Sequence, residues 1–386
     1  TYRCNLQCSI CWKREYGEPL KPDEELSDAR LLEIVEEGAE LGVREWIVGG
    51  GGELMLRNEA VRGLCRRIRG HGMDGLIQTN GTRFTDEDLE ALVDVQWGMV
   101  NVSLDGPNAG INDAIRTEDC FRRATETIRR LQRLKRERGV ERPLINIVSV
   151  ITNRNYGQLK GMVDLSEELG LSPGCISAVD LIVYGEHDKA FELNTGQRNE
   201  LRPLVREAIA YADKKGVVHN YRTYLAALGD SGALAAMDLF SGPEERVSSR
   251  TMCFEPFLHL LILPSGLAGP CCTYYEPNSD SVAHTPLAEV WLGPYLEKVR
   301  GQILGGRPPK YCAECMITKI QENRNMQAHL AQLERRLRLA APLTLGEMAA
   351  KVRGSLQRRG VRGTIQRGRE WLQLRSAAKK PGGGER

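Results

Sequence analysis

The sequence has no long hydrophobic run and no segment that resembles a secretory signal peptide. No stretch approaches the ~20 apolar residues that a membrane-spanning helix needs, and the first residues lack the basic and then apolar pattern of an export signal. We therefore expect a cytoplasmic protein without a transmembrane segment. The composition fits that class, since 41% of the 386 residues are hydrophobic and 27% are charged, as in an ordinary globular protein.

Disulfide bonds are not expected either, although the chain has eleven cysteines. Disulfides are rare in the reducing cytosol, where clustered cysteines more often bind metal. The chain also begins with Thr1 rather than methionine, almost directly before its first cysteine. An α/β fold normally delivers such a loop from a strand, so we expect a piece of a longer product whose first strand is missing.

The first three cysteines, Cys4, Cys8 and Cys11, have the spacing C-x3-C-x2-C. Their thiolates can reach three corners of a 4Fe–4S cluster, which commonly has four cysteine ligands, and would leave one iron open. A structural zinc ion is the alternative. It is less favoured because zinc needs a closed set of four ligands, usually in C-x2-C pairs, and no fourth cysteine or histidine is nearby.

This spacing, with Ile10 directly before the last cysteine, resembles the cluster loop of the radical S-adenosylmethionine (SAM) superfamily. The resemblance implies that the open iron chelates the amino and carboxylate groups of SAM. Reductive cleavage of SAM then yields a 5′-deoxyadenosyl radical that abstracts a hydrogen atom from a substrate. The resemblance also implies an external reductant such as flavodoxin or ferredoxin.

Helical and strand patterns alternate from about residue 25 to residue 220, which predicts an α/β fold of parallel β-α units. Five strands are predicted, at 46–48, 76–79, 99–103, 144–152 and 175–184. Together with the missing first strand they make six, which resembles the partial (β/α)6 TIM-like barrel of the radical SAM core. In such barrels the active site lies on the loops that follow the carboxyl ends of the strands.

The strand at 46–48 is followed by Gly51-Gly52-Glu53, which resembles the GGE motif of the family. In the family the backbone of this motif holds the amino group of SAM, and glycine lets a backbone come close to a ligand. Leu54 stands where proline is common, which is a small departure. The next strand ends in the sequence Thr-Asn-Gly-Thr at 79–82, which is similar to a strand end common in the family but also reads as a simple turn.

Ser103 and Asp105 stand at the end of the following strand, and the resemblance implies hydrogen bonds from them to the ribose hydroxyls of SAM. A helix or turn cap is an equal alternative, because these residue types are the usual caps. Asn153, after the strand at 144–152, is placed to meet the methionyl carboxylate or the ribose. Ile10 could pack on the adenine, although core packing is the simpler role for an apolar residue. No residue stands out as the catalytic base.

The second cysteine set comprises Cys253, Cys271, Cys312 and Cys315. A glycine precedes the second of these cysteines by five positions, and a distant C-x2-C pair follows. This pattern resembles the twitch domain, a shortened SPASM extension of radical SAM enzymes, and implies one auxiliary 4Fe–4S cluster. A four-cysteine zinc knot is the alternative, and Cys272 could replace Cys271 as the ligand.

The segment around these cysteines is expected to contain a β-hairpin at 260–266 and a helix at 287–291. The remaining cysteines, Cys65, Cys120 and Cys175, stand singly in helix or strand patterns. Cysteines of that kind usually behave as small buried hydrophobic residues.

Four segments follow from these patterns: a radical SAM core at 1–224, a linker at 225–251, an auxiliary cluster domain at 252–320 and a basic helical tail at 321–386. The tail holds 15 Lys and Arg against 5 Asp and Glu, whereas the whole chain has a net charge of only +2. Such a tail could contact an anionic membrane surface, a nucleic acid or an acidic partner. A solvated helix is an equally simple interpretation, and the Pro-Gly-Gly-Gly end is expected to be disordered.

The sequence thus predicts a radical SAM oxidoreductase or maturase that modifies a peptide or protein. The close alternative is a dehydrogenase or epimerase of the same superfamily that acts on a small molecule such as a sugar or an aminoglycoside. An alternative of another class is a non-catalytic iron–sulfur or zinc scaffold, in which the GGE-like loop would have no role.

Overall fold

The structure is a computed structural model, and it describes residues 1–16, 22–171, 174–183, 185–229, 252–272, 279–315 and 317–340. Its contacts divide the chain into one unit at Thr1–Glu322 and another at Asn323–Arg386. Within the described residues, no helix combines the length and the apolar character that crossing a membrane requires.

The first unit is built on a parallel sheet in which each strand pairs with the next one along the chain. Its strands are β1 (Glu45–Gly49), β2 (Asp74–Thr79), β3 (Met99–Ser103), β4 (Leu144–Ile151), β5 (Gly174–Asp180) and β6 (Val218–His219). A second sheet is the antiparallel hairpin of β7 (Leu261–Ile262) and β8 (Ala268–Gly269). A sheet with this sequential parallel order is the arrangement of a partial (β/α)6 barrel, which confirms the predicted fold class.

Helices connect these strands and continue beyond them. They are α1 (Lys13–Tyr16), α2 (Asp28–Glu40), α3 (Asn58–Gly70), α4 (Asp86–Asp94), α5 (Ala109–Ile115), α6 (Cys120–Arg138), α7 (Leu159–Glu168), α8 (Glu186–Lys189), α9 (Thr195–Lys215), α10 (Tyr221–Gly229), α11 (Glu255–Leu258), α12 (Leu287–Trp291), α13 (Pro294–Leu304) and α14 (Ile317–Ala340). Short 3-10 segments lie at Pro22–Glu24, Leu54–Arg57 and Lys310–Glu314. Caps define several helix starts: Ser27 caps α2, and Thr85 and Asp88 form the capping box predicted for α4.

The two faces of the sheet differ because side chains alternate along each strand. One face contributes the hydrophobic core against the helices, with Ile77, Val100, Val102, Ile145, Ile147 and Ile176 nearly inaccessible to solvent. The opposite face carries a ladder of polar side chains, which we call the amide ladder: Asn101 Nδ2 donates to Gln78 Oε1 at 3.2 Å, Asn146 Nδ2 to Asn101 Oδ1 at 3.0 Å, and Ser177 Oγ to Asn146 Oδ1 at 3.1 Å. This ladder links four adjacent strands across the inner face of the barrel.

Strand β1 lies at one end of the strand order and, among the described strands, pairs with β2 alone. Its central residue Ile47 is 71% exposed. A cavity of about 160 Å³ opens beside this edge and is lined mainly by apolar residues of β1, α2, α3 and the hairpin, among them Trp46, Leu31, Ile34 and Ile262.

The hairpin segment packs on α2. Leu26 and Ile34 form a common buried cluster with Ala268, Val282 and Leu287. Arg30 adds directional contacts, since its Nε donates to the carbonyl of Val282 at 2.8 Å and its Nη2 to that of Thr285 at 3.0 Å. Helix α2 therefore joins the auxiliary segment to the barrel.

Two predicted boundaries are wrong. The strand predicted at 175–184 ends at Asp180, because Asp180 pairs with Ile151, the last residue of β4, and no neighbour continues beyond it. The linker was predicted to begin at 225, but helix α10 continues to Gly229. Tyr221, Tyr224 and Ala227 recur at helical spacing and are buried, and this pattern explains why the helix continues.

The described sheet has six strands, but its sixth strand is not the one that was expected. The predicted set was five strands and a missing one upstream, whereas β6 is the sixth strand of the described sheet. Its two residues are too few for alternation to be visible in a sequence. The rest of the predicted linker, at 230–251, and the tail beyond residue 340 lie outside the described residues.

Candidate active site and auxiliary cysteine site

The loop that carries Cys4, Cys8 and Cys11 is half-buried and precedes α1. It is held from one side by the segment that ends α5. The N–H of Gln7 donates to Thr117 Oγ1 at 3.0 Å, and the N–H of Ser9 donates to the carbonyl of Ile115 at 2.8 Å. We call the segment of residues 4–11, which carries these three cysteines, the cluster loop.

The carbonyl groups of the cluster loop are held from the other side. Arg14 Nε donates to the carbonyl of Cys8 at 2.9 Å, and its Nη2 donates to that of Gln7 at 2.6 Å. His187 of α8 donates a ring N–H to the carbonyl of Ser9 at 2.6 Å, because a carbonyl oxygen can only accept. Hydrogen bonds on both sides therefore fix the backbone around Cys8 before any metal binds.

The chemistry of the thiols fits a metal cluster. Burial raises the pKa of the Cys8 thiol to about 12, although the positive charge of Arg116 opposes this. Burial also raises the pKa of Cys4. Metal binding needs thiolates, and bound iron would supply the positive charge that these buried sulfurs lack.

The glycine motif after β1 lies against the start of the same loop. The N–H groups of Gly52 and Glu53 donate to the carbonyls of Thr1 and Arg3 at 2.9 and 2.8 Å. A Cβ on Gly52 would lie 2.0 Å from the carbonyl oxygen of Arg3, so only glycine permits this approach. An amino group needs acceptors, and the carbonyl oxygens of Gly51 and Gly52 are the acceptors that this motif can offer.

The side chain of Glu53 is 1% exposed and acts as a brace between two strand ends. Its carboxylate accepts hydrogen bonds from Thr79 Oγ1 at 2.7 Å, from the N–H of Asn80 at 2.8 Å and from the N–H of Met55 at 3.1 Å. Burial raises the pKa of Glu53, and these hydrogen bonds oppose the rise. Because the carboxylate is occupied, any contact of Glu53 with a cofactor would use its backbone.

Asn80 is a residue of the site whose role the sequence did not indicate. Its Nδ2 donates to Asn5 Oδ1 at 3.1 Å and lies 3.9 Å from Cys4 Sγ. The Thr-Asn-Gly-Thr sequence at 79–82 was visible as a strand end, and the structure shows that it supports both Glu53 and the cluster loop.

Of the two candidate ribose ligands, Ser103 is the last residue of β3 and is partly exposed. Asp105 is 1% exposed. Its Oδ1 accepts from the N–H of Val150 at 2.8 Å, and its Oδ2 lies 2.8 Å from Arg116 Nε. The Asp105 carboxylate therefore braces β4 and Arg116, a role other than the helix or turn cap that the sequence left as an alternative. The ribose contacts of Ser103 and Asp105 stay predictions.

Asn153 follows β4 and binds the segment after α8. Its Nδ2 donates to the carbonyl of Ala190 at 2.8 Å, and its N–H donates to that of Phe191 at 3.0 Å. Since His187 of α8 binds the cluster loop, Asn153 is connected to that loop through α8. Ile10 is partly exposed within the loop itself.

The second cysteine set comes from three separate segments of the chain. Cys253 precedes α11, Cys271 follows β8, and Cys312 and Cys315 lie on and just after the 3-10 segment Lys310–Glu314. Burial raises the pKa of Cys315 to about 12, and negative charge on Cys253, Cys271 and Cys272 would raise it further. Cys271 is half-buried and Cys272 is exposed, and the choice between them stays open.

Neither set has the geometry of a zinc site in the part of the chain that the structure describes. No three His, Cys, Asp or Glu side chains there are placed to hold one metal ion. The ligands of a 4Fe–4S cluster bind different irons of the cluster and so need not meet at one point. The candidate donors of both sets are thiols, which are the common ligands of 4Fe–4S clusters.

Two protein-family models match the chain. Residues 1–165 match the radical SAM superfamily, and residues 253–316 match SPASM, an iron–sulfur cluster-binding domain. The matches include all seven cysteines of the two candidate sets.

Curated relatives have moderate identity. The mycofactocin maturase MftC of Mycobacterium tuberculosis (strain CDC 1551 / Oshkosh) is 30% identical over 249 residues, which are 62% of this chain and 57% of that protein. The pre-heme d1 synthase of Dinoroseobacter shibae is 25% identical over 305 residues, which are 76% of this chain and 72% of that protein. The chain spans 57–61% of the length of the first mycofactocin maturases that it matches.

Among solved structures, Streptococcus suis SuiB bound to the precursor peptide SuiA has a TM-score of 0.57 and 18% sequence identity. The likeness covers 83% of this chain and 69% of that one. At this identity the likeness shows a shared fold.

Proposed function

We propose that the chain is a radical SAM maturase that modifies a peptide or protein, because residues 1–165 match the radical SAM superfamily and residues 253–316 match an iron–sulfur cluster-binding domain. The radical SAM domain implies a 4Fe–4S cluster and SAM, and the SPASM-type domain implies auxiliary iron–sulfur chemistry. One observation carries the proposal: a loop with three half-buried cysteines is bound to the glycine motif at the end of β1.

In this proposal Cys4, Cys8 and Cys11 hold the SAM-binding cluster and leave one iron open. When bound, that cluster supplies the electron for reductive cleavage of SAM. The chain's own contribution is to orient three thiols through the bonds from Arg14, His187 and the α5 end, and to keep them largely away from water. An external reductant such as flavodoxin or ferredoxin is the proposed electron donor.

SAM itself is proposed to lie along the carboxyl ends of β1, β3 and β4. The carbonyls of Gly51 and Gly52 would accept from its amino group, and Ser103 would bind a ribose hydroxyl. Ile10 would pack on the adenine. Glu53, Asp105 and Asn153 would act mainly by fixing the backbone that surrounds the cofactor, because their side chains already bind other parts of the chain.

Cys253, Cys271, Cys312 and Cys315 are proposed to hold one auxiliary 4Fe–4S cluster. Four thiolates would complete its ligand set, so this cluster would have no open iron for SAM. The Arg30 contacts of α2 support a fixed connection between this segment and the barrel.

A peptide substrate is favoured by the relatives, since one is named a maturase and SuiB was solved with a precursor peptide. A small-molecule substrate is the second candidate, and the likeness to a pre-heme d1 synthase supports it. The basic tail would add a contact to an anionic partner or surface.

The test begins with SAM cleavage. Protein reconstituted anaerobically with iron and sulfide should convert SAM with dithionite to 5′-deoxyadenosine and methionine. Cys8→Ala should abolish this reaction, whereas Cys65→Ala, which changes a thiol in the helical core, should retain it. Equal activity of the two variants would refute the assignment of the cluster loop.

The substrate class is tested separately. Synthetic peptides encoded by short reading frames beside the gene are incubated with active protein and SAM, and products are read by mass spectrometry. A SAM-dependent mass change in a peptide supports the maturase. Turnover of a tetrapyrrole or a sugar, with no change in any peptide, would favour the second candidate.

A further inference from the structure

A buried ion pair lies behind the cluster loop. Arg116 follows α5 directly, and its Nε lies 2.8 Å from Asp105 Oδ2. The two side chains are 11% and 0% exposed. Removing two charges from water is costly, and a buried pair is often no more stabilising than apolar residues of the same volume. Stability alone is therefore a weak reason for this pair.

Hydrogen bonds set Arg116 opposite Cys8. Gln7, on one side of Cys8, binds Thr117, and Ser9, on the other side, binds Ile115 through both its N–H and its hydroxyl. The chain therefore passes Cys8 and Arg116 across from each other. Arg116 was not singled out in the sequence, although it closes the run Asn-Asp-Ala-Ile-Arg that follows the Ser-Leu-Asp-Gly strand end.

The positive end of the pair is the end that lies across from Cys8. The hydrogen bonds of Gln7 and Ser9 place Arg116 there, whereas the Asp105 carboxylate reaches back to β4, where its Oδ1 accepts from the N–H of Val150 at 2.8 Å.

We propose that Arg116 is a positioning residue that raises the reduction potential of the cluster held by Cys4, Cys8 and Cys11. This inference rests on the proposed function, because it requires that cluster. Reduction adds negative charge to the cluster, and a nearby buried positive charge stabilises it; charge is among the factors that set cluster potentials. Asp105 holds the guanidinium in place and offsets part of its charge.

The two members of the pair therefore have opposite effects on the potential. In Arg116→Gln the positive charge is lost, and the midpoint potential should shift to more negative values. Arg116→Lys keeps the charge and should shift it less. Asp105→Asn removes the offsetting negative charge and should shift it to more positive values. Arg122→Gln, which changes a mostly exposed arginine paired with Asp119, is the matched control and should leave it unchanged.

The measurement is a redox titration of the anaerobically reconstituted full chain, read by electron paramagnetic resonance. The signal followed is the one that changes when SAM is added, because only a cluster with an open iron binds SAM. Iron content is measured in parallel. Opposite shifts in Arg116→Gln and Asp105→Asn support the proposal.

An unchanged potential in Arg116→Gln at full iron content, or shifts of the same sign in both variants, would overturn it and leave the pair a structural brace. If Arg116→Gln fails to hold a cluster, the potentials of Arg116→Lys and Asp105→Asn decide. A shift to more positive values in Asp105→Asn alone supports the proposal, and an unchanged potential in Asp105→Asn overturns it. A wild-type protein without any SAM-responsive signal would instead refute the proposed function, and this inference with it.

Discussion

Glu53 illustrates how a motif residue can serve the site without touching a ligand. Two donors at the end of β2, Thr79 Oγ1 and the N–H of Asn80, and the N–H of Met55 meet its buried carboxylate. The residue therefore fixes the distance between the ends of β1 and β2, on which the cluster loop rests.

Glu53→Gln should destabilise the fold by about 1–3 kcal/mol, the cost of leaving a buried donor without an acceptor. One carboxylate oxygen becomes an amide that faces the N–H of Asn80, and that hydrogen bond is lost. Urea unfolding measures the loss. Glu59→Gln, on the exposed first turn of α3, is the control, and an equal effect in both variants would contradict the bracing role.

A pH effect is expected at Glu255 and His259, whose Oε2 and Nδ1 lie 2.7 Å apart in the auxiliary segment. The hydrogen bond with Glu255 raises the pKa of His259. Burial would raise the pKa of Glu255, but the contacts with His259 and Lys319 lower it overall. The stabilisation from His259 is present below about pH 6.5, the unfolded value, and is lost as pH rises through the folded pKa. The stabilisation from Glu255 is present above about pH 4.5, the unfolded value, and is lost as pH falls through the folded pKa.

His259→Gln should therefore reduce stability most between about pH 5 and 6, and little above the folded pKa of His259. The histidine is largely exposed, so the loss should be only about 0.5 kcal/mol, as for exposed helical pairs. Unfolding midpoints of both proteins across this pH range provide the measurement. A difference that does not vary with pH would contradict the interpretation.

At the scale of elements, the amide ladder is a row of polar side chains on the inner face of the sheet. The central amides, Asn101 and Asn146, each donate and accept, so removal of either leaves partners on two neighbouring strands unsatisfied. The amide ladder links β2, β3, β4 and β5 independently of their backbone hydrogen bonds.

Asn146→Leu should cost about 1–3 kcal/mol, because Asn101 Oδ1 loses its donor and Ser177 Oγ loses its acceptor. Urea unfolding is again the measurement. Gln302→Leu, a half-buried amide of α13 outside the ladder, should change stability less. If the two variants lose equally, the ladder contributes nothing beyond ordinary packing.

Helices and strands whose hydrophobic residues recur at a regular spacing could be predicted from the sequence. The core strands, the capping box at Thr85 and the hairpin were predicted, because alternation and capping residues are local signals. Strand β6 was missed since two residues show no period. The contacts of Glu53 with Thr79 and of Asp105 with Arg116 could not be predicted, because tertiary packing alone sets which distant groups meet a buried carboxylate.

At the scale of the whole molecule, the chain combines two cysteine sets joined through α2. We expect about eight irons in reconstituted protein, which corresponds to two 4Fe–4S clusters. In the double variant Cys312→Ala and Cys315→Ala, about half of the iron should remain. SAM cleavage without substrate should continue, whereas substrate turnover should stop.

Iron assay and 5′-deoxyadenosine release measure these outcomes. Circular dichroism must first show that the variant is folded, because loss of a metal site can unfold a small domain. Iron near four in the unmodified protein would contradict the two-cluster assignment. A folded variant with normal turnover would leave the auxiliary cluster a structural support.

The position of β1 affects how the protein can be handled in solution. An end strand of the described sheet with an exposed isoleucine is a template for pairing with another strand, whether of a second chain or of residues that precede Thr1 in a longer product. Concentrated samples of residues 1–386 should therefore self-associate through this edge, and that would confuse any measurement of oligomeric state. Ile47→Lys should raise the concentration at which light scattering first detects aggregates, because edge lysines oppose such pairing. A variant that aggregates like the original would show that the contacts form elsewhere.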